Sequence, residues 1–234
     1  TYFPLSALGG VPSPALTFYE HLIGLLILLP FVTRPSRREL RLLRWRHLPA
    51  LFLVGVVGEI LAGLFYGDSF RLVGGAAAGF LQMLQPFFVL GIVWILRMER
   101  QGASYVQWAF WVFFGALALW IFDPGFDLQK VESAEFFRGA GLGLLAVFLW
   151  AASNVAAKTL LEVFSASSTV FFRWSLSLLG LGGILWIHGI PLDFAPFFSW
   201  KSFGALILHA SVFSLLPLWL FYQGLRLIPA SQIG

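Results

Sequence analysis

The sequence predicts an all-α polytopic membrane protein: two inverted five-helix repeats that form a ten-helix bundle, truncated here at both ends. The first observation is composition, since 59% of the residues are hydrophobic, only 11% are charged and the mean hydropathy is +0.85. Soluble domains carry roughly a quarter charged residues. The second observation is an internal repeat, and the third is an opposite charge bias in two loops at equivalent repeat positions.

The repeat is visible as two short matches at nearly the same separation, roughly 150 residues. The LFY at 64–66 returns at 220–222, and TFYEH at 17–21 resembles TVFFR at 169–173. The alternative explanation is that Leu, Phe and Gly recur by chance in any apolar chain. Two matches at one offset favour a duplicated membrane unit.

Seven stretches are long and apolar enough to cross a bilayer, and we predict that they are helices 2 to 8 of the ten. In chain order they cover about residues 14–32, 47–70, 74–96, 104–122, 139–161, 166–187 and 203–225. Residues 1–8 are too short to span and are read as the end of helix 1. The repeat register places part of helix 1 and most of the last two helices outside the chain, so we expect the chain alone not to transport.

Local signals support these boundaries. The Pro/Gly-rich GGVPSP at 9–14 makes a turn before the first full helix. The small-residue run GGAAAG at 74–79 opens the apolar stretch at 74–96, where small side chains let helix backbones approach closely. Pro86 lies inside that helix and frees a backbone carbonyl, which is tolerated where neighbouring helices or a cavity can satisfy it.

The loops predict the topology. The connection at 33–47 holds six arginines, which places it in the cytoplasm. They are Arg34, Arg37, Arg38, Arg41, Arg44 and Arg46. The equivalent connection at 188–201 has one Lys and no Arg, as inversion of the second repeat requires. The connection at 123–138 carries four acids against two bases, and we predict that it is external and joins the repeats at 1–122 and 139–234.

Several function classes are excluded or disfavoured. The chain has no Cys, so disulfides and thiol chemistry are ruled out. GxSxG, HExxH, P-loop and dinucleotide motifs are missing, and the four histidines lie in separate segments. We therefore predict no enzyme, no catalytic residue, no metal and no cofactor. The net charge of +4 is concentrated in one loop, which indicates topology and not a nucleic-acid partner.

The sequence resembles the EamA-type permeases of the drug/metabolite transporter superfamily. The resemblance rests on WAASNVAAK at 150–158, on Arg173 in the next helix and on FYQGLRLIPAS at 221–231. The small-residue run, Pro86 and the MER at 98–100 add to it in the first half. It implies a ten-helix bundle with both termini in the cytoplasm, a central substrate cavity between the repeats and alternating access. One departure is that Glu20 and His21 stand where the second repeat has Arg173.

Ionisable groups inside the spans are the first candidates for function, because each costs roughly 2.5 to 3.5 kcal/mol at mid-bilayer. Glu59 is interpreted as a proton site or as a binding group for a substrate amine. The alternative is a protonated carboxyl that is hydrogen-bonded to a neighbouring helix. Glu20 and His21 could couple transport to protons, or form an interfacial polar pair. Arg173, at the matching depth, could receive an anionic group or join a structural ion pair.

Neutral polar groups complete the candidate set. Gln82 and Gln85 lie three residues apart in the turn before Pro86 and could bind substrate or join helices together. Asn154 shares a helix face with Lys158, which is favoured to snorkel to lipid phosphate. The resulting predicted substrate-binding set is Glu59, Tyr66, Gln82, Gln85, Asn154 and Arg173, and the predicted proton-coupling set is Glu20, His21 and Glu59.

These observations favour a secondary transporter of small organic solutes, such as amino acids or metabolites, in a bacterial cytoplasmic membrane. Its partners are a small-molecule substrate and the lipid bilayer, with a homodimer left open. Proton coupling is a hypothesis motivated by the acidic residues and His21. A seven-helix receptor and an intramembrane enzyme are the alternatives. The sequence does not name the substrate or the direction of transport.

Overall fold

A computed structural model of the chain describes residues 13–32, 39, 41–98, 103–122, 131–192 and 199–227. Within these residues every regular element is helical. Six of the described helices are long and apolar enough to cross a membrane, and a seventh apolar helix, Val106–Ile121, is shorter. The all-α polytopic fold is therefore confirmed, while the ten-helix count and the inversion stay predictions. The predicted remnant of helix 1 at 1–8 lies outside the described residues.

We number the helices α1 to α7 along the chain. They cover Ser13–Val32, Trp45–Val73, Gly75–Ile95, Ala103–Ile121, Ala134–Leu161, Ala166–Ile187 and Trp200–Leu227. Six of them begin within three residues of the predicted start. The exception is α5, predicted to begin at Gly139, which begins earlier because the Ser133 hydroxyl accepts a 3.1 Å hydrogen bond from the Phe136 N–H and caps the helix. Half of the predicted loop at 123–138, residues 123–130, lies outside the described residues.

The third helix is interrupted where the sequence predicted one continuous span. Its segments are Gly75–Gln82 and Gln85–Ile95, separated by a turn at Met83 and Leu84. Pro86 has no N–H, so the carbonyl of Gln82 loses the partner that an α-helix would provide. The freed carbonyl expected from Pro86 is thus that of Gln82.

Two other helices contain a π-helical stretch. In α2 it covers Leu53–Leu61, and in α7 it covers His209–Leu215. Their first residues are 156 positions apart, which is also the separation of Tyr66 and Tyr222. Helices α2 and α7 thus share an uncommon backbone feature at the same register of the sequence repeat. Single π turns inside α-helices often occur at functional sites.

The chain divides into two compact units, which do not coincide with the sequence repeats. The first comprises Thr1–Val56 and Thr159–Leu227, and the second comprises Val57–Lys158 and Ile228–Gly234. In the first unit α1 packs along α6 and against α7, around a core that includes Tyr19. In the second unit the first segment of α3 packs on the end of α2 and on α4. Gly74 makes the α2–α3 turn with a φ of 85°, which L side chains rarely adopt.

Helices α1 and α6 meet closely at Gly24. The indole of Trp174 lies against this glycine, so that a Cβ atom there would overlap the ring. One turn earlier on α1, His21 stacks on the same indole with ring centroids 5.0 Å apart. The absence of a side chain at position 24 is therefore a packing requirement of this pair of helices.

Candidate functional site

In the second unit, polar side chains meet at the break in α3. The Tyr66 hydroxyl on α2 donates a 3.3 Å hydrogen bond to Oε1 of Gln82. The Tyr66 ring also contacts Trp150 of α5, with centroids 5.0 Å apart. Tyr66 and Gln82 are thus direct neighbours, and each was a predicted substrate-binding residue.

A cleft of about 340 Å³ opens between α3 and α4 at the same break. Gln82 and Gln85 provide amide groups that both donate and accept hydrogen bonds, and Trp108 of α4 provides an aromatic surface. The other lining residues are Met83, Pro86, Ala109 and Val112. The volume lies within the range of small-molecule sites, which combine an apolar wall with a few directed polar groups.

In the first unit, Glu20 on α1 meets a histidine of α7. The carboxylate Oε2 lies 3.3 Å from Nε2 of His209, and both side chains are largely buried. His21, next to Glu20, points elsewhere and stacks on Trp174. Consecutive residues of an α-helix project about 100° apart, so the two neighbours reach different partners.

Arg173 of α6 bonds to α7 within the same unit. Its Nη1 donates a 2.7 Å hydrogen bond to the hydroxyl of Tyr222, and its guanidinium carbon lies 5.9 Å from the centre of that ring. Both residues are buried. The contact fixes the guanidinium inside the unit by a charge-assisted hydrogen bond.

The remaining predicted residues are placed separately. Glu59 is half-buried in the π-helical stretch of α2, and Asn154 is buried on α5, both in the second unit. The predicted proton-coupling set is therefore distributed over both units, with Glu20 and His21 in the first.

His209, Trp174 and Tyr222 were not selected from the sequence. His209 could have been selected from the sequence, because it is an ionisable residue inside an apolar span. Glu59 was selected by the same criterion. The contact between His209 and Glu20 depends on how α1 packs against α7, which sequence spacing does not reveal.

A helical membrane bundle in which one helix is broken beside polar side chains is an arrangement typical of transporters. The chain belongs to the EamA-like transporter family, whose sequence profile matches residues 1–122 and 137–234. The resemblance stated from the sequence is thereby confirmed.

Two relatives have similar sequences. The riboflavin transporter ImpX of Fusobacterium nucleatum is 26% identical over 168 residues, which are 70% of this chain and 55% of that protein. A riboflavin transporter of Brucella anthropi is 28% identical over 181 residues, which are 76% of this chain and 58% of that protein. The chain thus spans little more than half the length of these relatives.

A solved crystal structure has a similar fold. It aligns with a TM-score of 0.75 and 19% identity, over 97% of this chain and 75% of its own. At that identity the similarity supports the fold alone.

Proposed function

We propose that this chain belongs to a secondary transporter that moves a small organic solute across a membrane by alternating access, and that the solute is riboflavin or a similar flavin. The observation that carries the proposal is the hydrogen bond between Tyr66 and Gln82 at the break in α3, beside a cleft that also contains Gln85. Family membership supports transport over the alternatives of a seven-helix receptor or an intramembrane enzyme.

The chemistry of the cleft suits an uncharged ring compound. A flavin presents a flat ring system, an imide edge with one donor between two acceptors, and a hydroxylated side chain. The amides of Gln82 and Gln85 match such an edge, and Trp108 offers a surface for the ring. All side chains that line the cleft are neutral, which favours an uncharged solute over a zwitterionic amino acid. The names of the two relatives agree with this chemistry.

The same proposal includes two inverted repeats, at 1–122 and 139–234, and coupling to protons. The matched π-helical stretches support the repeats, and so does the opposite charge bias of the loops. We place the loop at 33–47 in the cytoplasm of a bacterium and the loop at 123–138 outside. Arg173 of the first unit and Asn154 of the second unit stay in the proposed substrate-binding set. Glu59 stays in the proposed substrate-binding set and in the proposed proton-coupling set.

The test is riboflavin exchange by the full-length protein reconstituted in liposomes, because counterflow of labelled substrate does not depend on the direction of transport. We expect saturable exchange in the wild type. Gln82→Leu and Gln85→Leu should each lower kcat/KM about tenfold, since a lost hydrogen bond of this kind costs about 1 to 1.5 kcal/mol. Gln107→Leu is the matched control, because Gln107 is exposed on α4 outside this cleft, and it should exchange normally.

Two outcomes would contradict different parts of the proposal. Saturable exchange of another solute that riboflavin does not inhibit would reject the flavin and keep the carrier. Folded protein with no flux of riboflavin, amino acids or other metabolites would reject transport and favour a receptor.

A further inference from the structure

The Glu20 carboxylate is held by two side chains of the π-helical stretch in α7. Besides His209, whose Nε2 lies 3.3 Å away, the side chain of Ser214 hydrogen-bonds to Glu20. The side-chain exposures are 9% for His209 and 17% for Glu20, so the pair is largely removed from solvent. An acid and an imidazole in this setting form a site that can hold a proton inside the protein.

The π-helical backbone is what brings both α7 residues to one carboxylate. His209 and Ser214 are five positions apart, and in a regular α-helix their side chains would project about 140° from each other. In a π-helix, where residue i pairs with residue i+5, such residues lie nearly above one another. Pro217 has no N–H to contribute to the backbone hydrogen bonds of α7. The Ser211 hydroxyl donates a 2.6 Å hydrogen bond to the carbonyl of Ile207. Both features favour a local change in the backbone hydrogen-bonding pattern.

The contact defines where a further proton can bind. The 3.3 Å distance from Nε2 of His209 to the Glu20 carboxylate is within reach of a hydrogen bond, and we assign the ring hydrogen of the neutral imidazole to Nε2, where it can donate to Glu20. The other ring nitrogen, Nδ1, is buried and has no hydrogen-bond partner among the described residues. Without a proton on Nδ1 the pair has one negative charge, and with it the pair is a neutral imidazolium–carboxylate pair.

We propose that the Glu20–His209 pair is the binding site for the proton that drives transport, with Nδ1 of His209 as the atom that gains and loses it. The proposal rests on the proposed transport function and identifies its coupling ion site. A single buried charge is costly, and the Glu20 carboxylate offers a proton on His209 a compensating charge. Release then requires that water reach Nδ1 when the site opens to one side.

One proton is taken up and one is released in each transport cycle. It binds Nδ1 from water on one side of the membrane and leaves to water on the other side, while Glu20 remains a carboxylate. Other titratable groups on the packed helices already have described contacts. On α1 itself, His21 is the neighbour of Glu20 and its ring stacks on Trp174. Arg173 of α6 donates a hydrogen bond to the hydroxyl of Tyr222 of α7.

The decisive experiment separates exchange from accumulation in liposomes that contain the full-length protein. Counterflow of riboflavin needs no gradient, whereas accumulation under an imposed pH gradient needs the coupling proton. His209→Gln keeps an N–H near the place of Nε2 but cannot bind a further proton. We expect gradient-driven accumulation to fall at least about tenfold more than exchange does. His188→Gln, at the exposed end of α6, is the control and should keep both activities.

Gradient-driven accumulation by His209→Gln at the wild-type level would overturn the proposal. A second readout does not depend on substrate. Infrared difference spectra of the purified protein with isotope-labelled histidine, between acidic and alkaline buffer, should show a titrating imidazole that His209→Gln abolishes and Glu20→Gln shifts. If that signal is present while riboflavin exchange is absent in the wild type, the proton site stands and the flavin substrate is wrong. If the signal is unchanged in both variants, the proton site is wrong.

Discussion

The guanidinium of Arg173 is hydrogen-bonded to the phenol of Tyr222 at 2.7 Å, with both groups buried inside one compact unit. Tyr66, which precedes Tyr222 by one repeat length, makes the corresponding kind of contact with Gln82 at 3.3 Å. Both tyrosines therefore orient a polar side chain from another helix. The partners differ, since one is a cation and the other is a neutral amide.

Tyr222→Phe should destabilise the protein more than Tyr66→Phe. The first change removes the acceptor for a buried charged donor, which costs about 1 to 3 kcal/mol, whereas the second affects a half-buried neutral pair worth about 1 kcal/mol. Thermal unfolding in detergent would measure both. Equal melting temperatures for the two variants would show that the Arg173 bond adds no more stability than the Tyr66–Gln82 bond.

Gly24→Ala should lower the melting temperature, because its Cβ atom would overlap the Trp174 indole and the packed helices cannot separate without loss of contacts. Overpacking of this kind costs about 1 to 3 kcal/mol. Gly183→Ala on α6 is the control, since a Cβ atom there meets nothing within 4 Å. It should be neutral or slightly stabilising, because Ala is the better helix former. A Gly24→Ala variant as stable as wild type would contradict the close approach.

Ser165→Ala should cost about 1 kcal/mol, because Ser165 caps α6. Its hydroxyl oxygen accepts from the N–H of Ser168 and the hydroxyl donates to Glu39 at 3.2 Å, while Glu39 also accepts from the Ser165 N–H. Glu39→Gln should cost less, about 0.3 to 1 kcal/mol, through the lost charge at the helix N-terminus. Unfolding measurements on both variants test this, with Ser199→Ala at the exposed start of α7 as the comparison. A larger loss from Ser199→Ala would reject the assigned role.

Pro86→Ala should raise the melting temperature and weaken riboflavin binding at least about fivefold. Alanine restores an N–H that can pair with the Gln82 carbonyl, so the break in α3 should close and the two amides should move. Pro30→Ala in α1 removes a proline from a helix that does not line the cleft, and it should leave riboflavin exchange unchanged. Normal riboflavin affinity in Pro86→Ala would separate the break from the substrate site.

Hydrophobic length and Pro/Gly-rich turns made most of the fold predictable. The bounds of α6 agree with the predicted 166–187, and the structure adds that Ser165 caps the start of this helix. The start of α5 was misplaced because Glu135 was counted as a loop acid, although an acid suits the first turn of a helix. The break in α3 was foreseen only as a freed carbonyl, since Pro86 alone does not distinguish a kink from an interruption.

The candidate sites were predictable as residue types and not as contacts. Gln82 and Gln85 were chosen for their polarity inside an apolar span and Tyr66 as an aromatic residue that could line a cavity, and the structure places them at one break. The contact between Glu20 and His209 could not be inferred from the sequence. It depends on the π-helical stretch that directs His209 and Ser214 toward Glu20, and a π-helical stretch has no sequence signal as clear as a capping residue.

The fit of Trp174 against Gly24 limits the mechanics of the first unit. A slide of α1 along α6 by one helical turn, 5.4 Å, would replace the glycine under the indole by Glu20 or Leu28, and neither leaves room for the ring. The two helices are therefore locked in register and can shift only as one rigid body. Any bending that a transport cycle requires must then be absorbed by other segments, and the loosened backbone at His209–Leu215 is the part of this unit suited to absorb it.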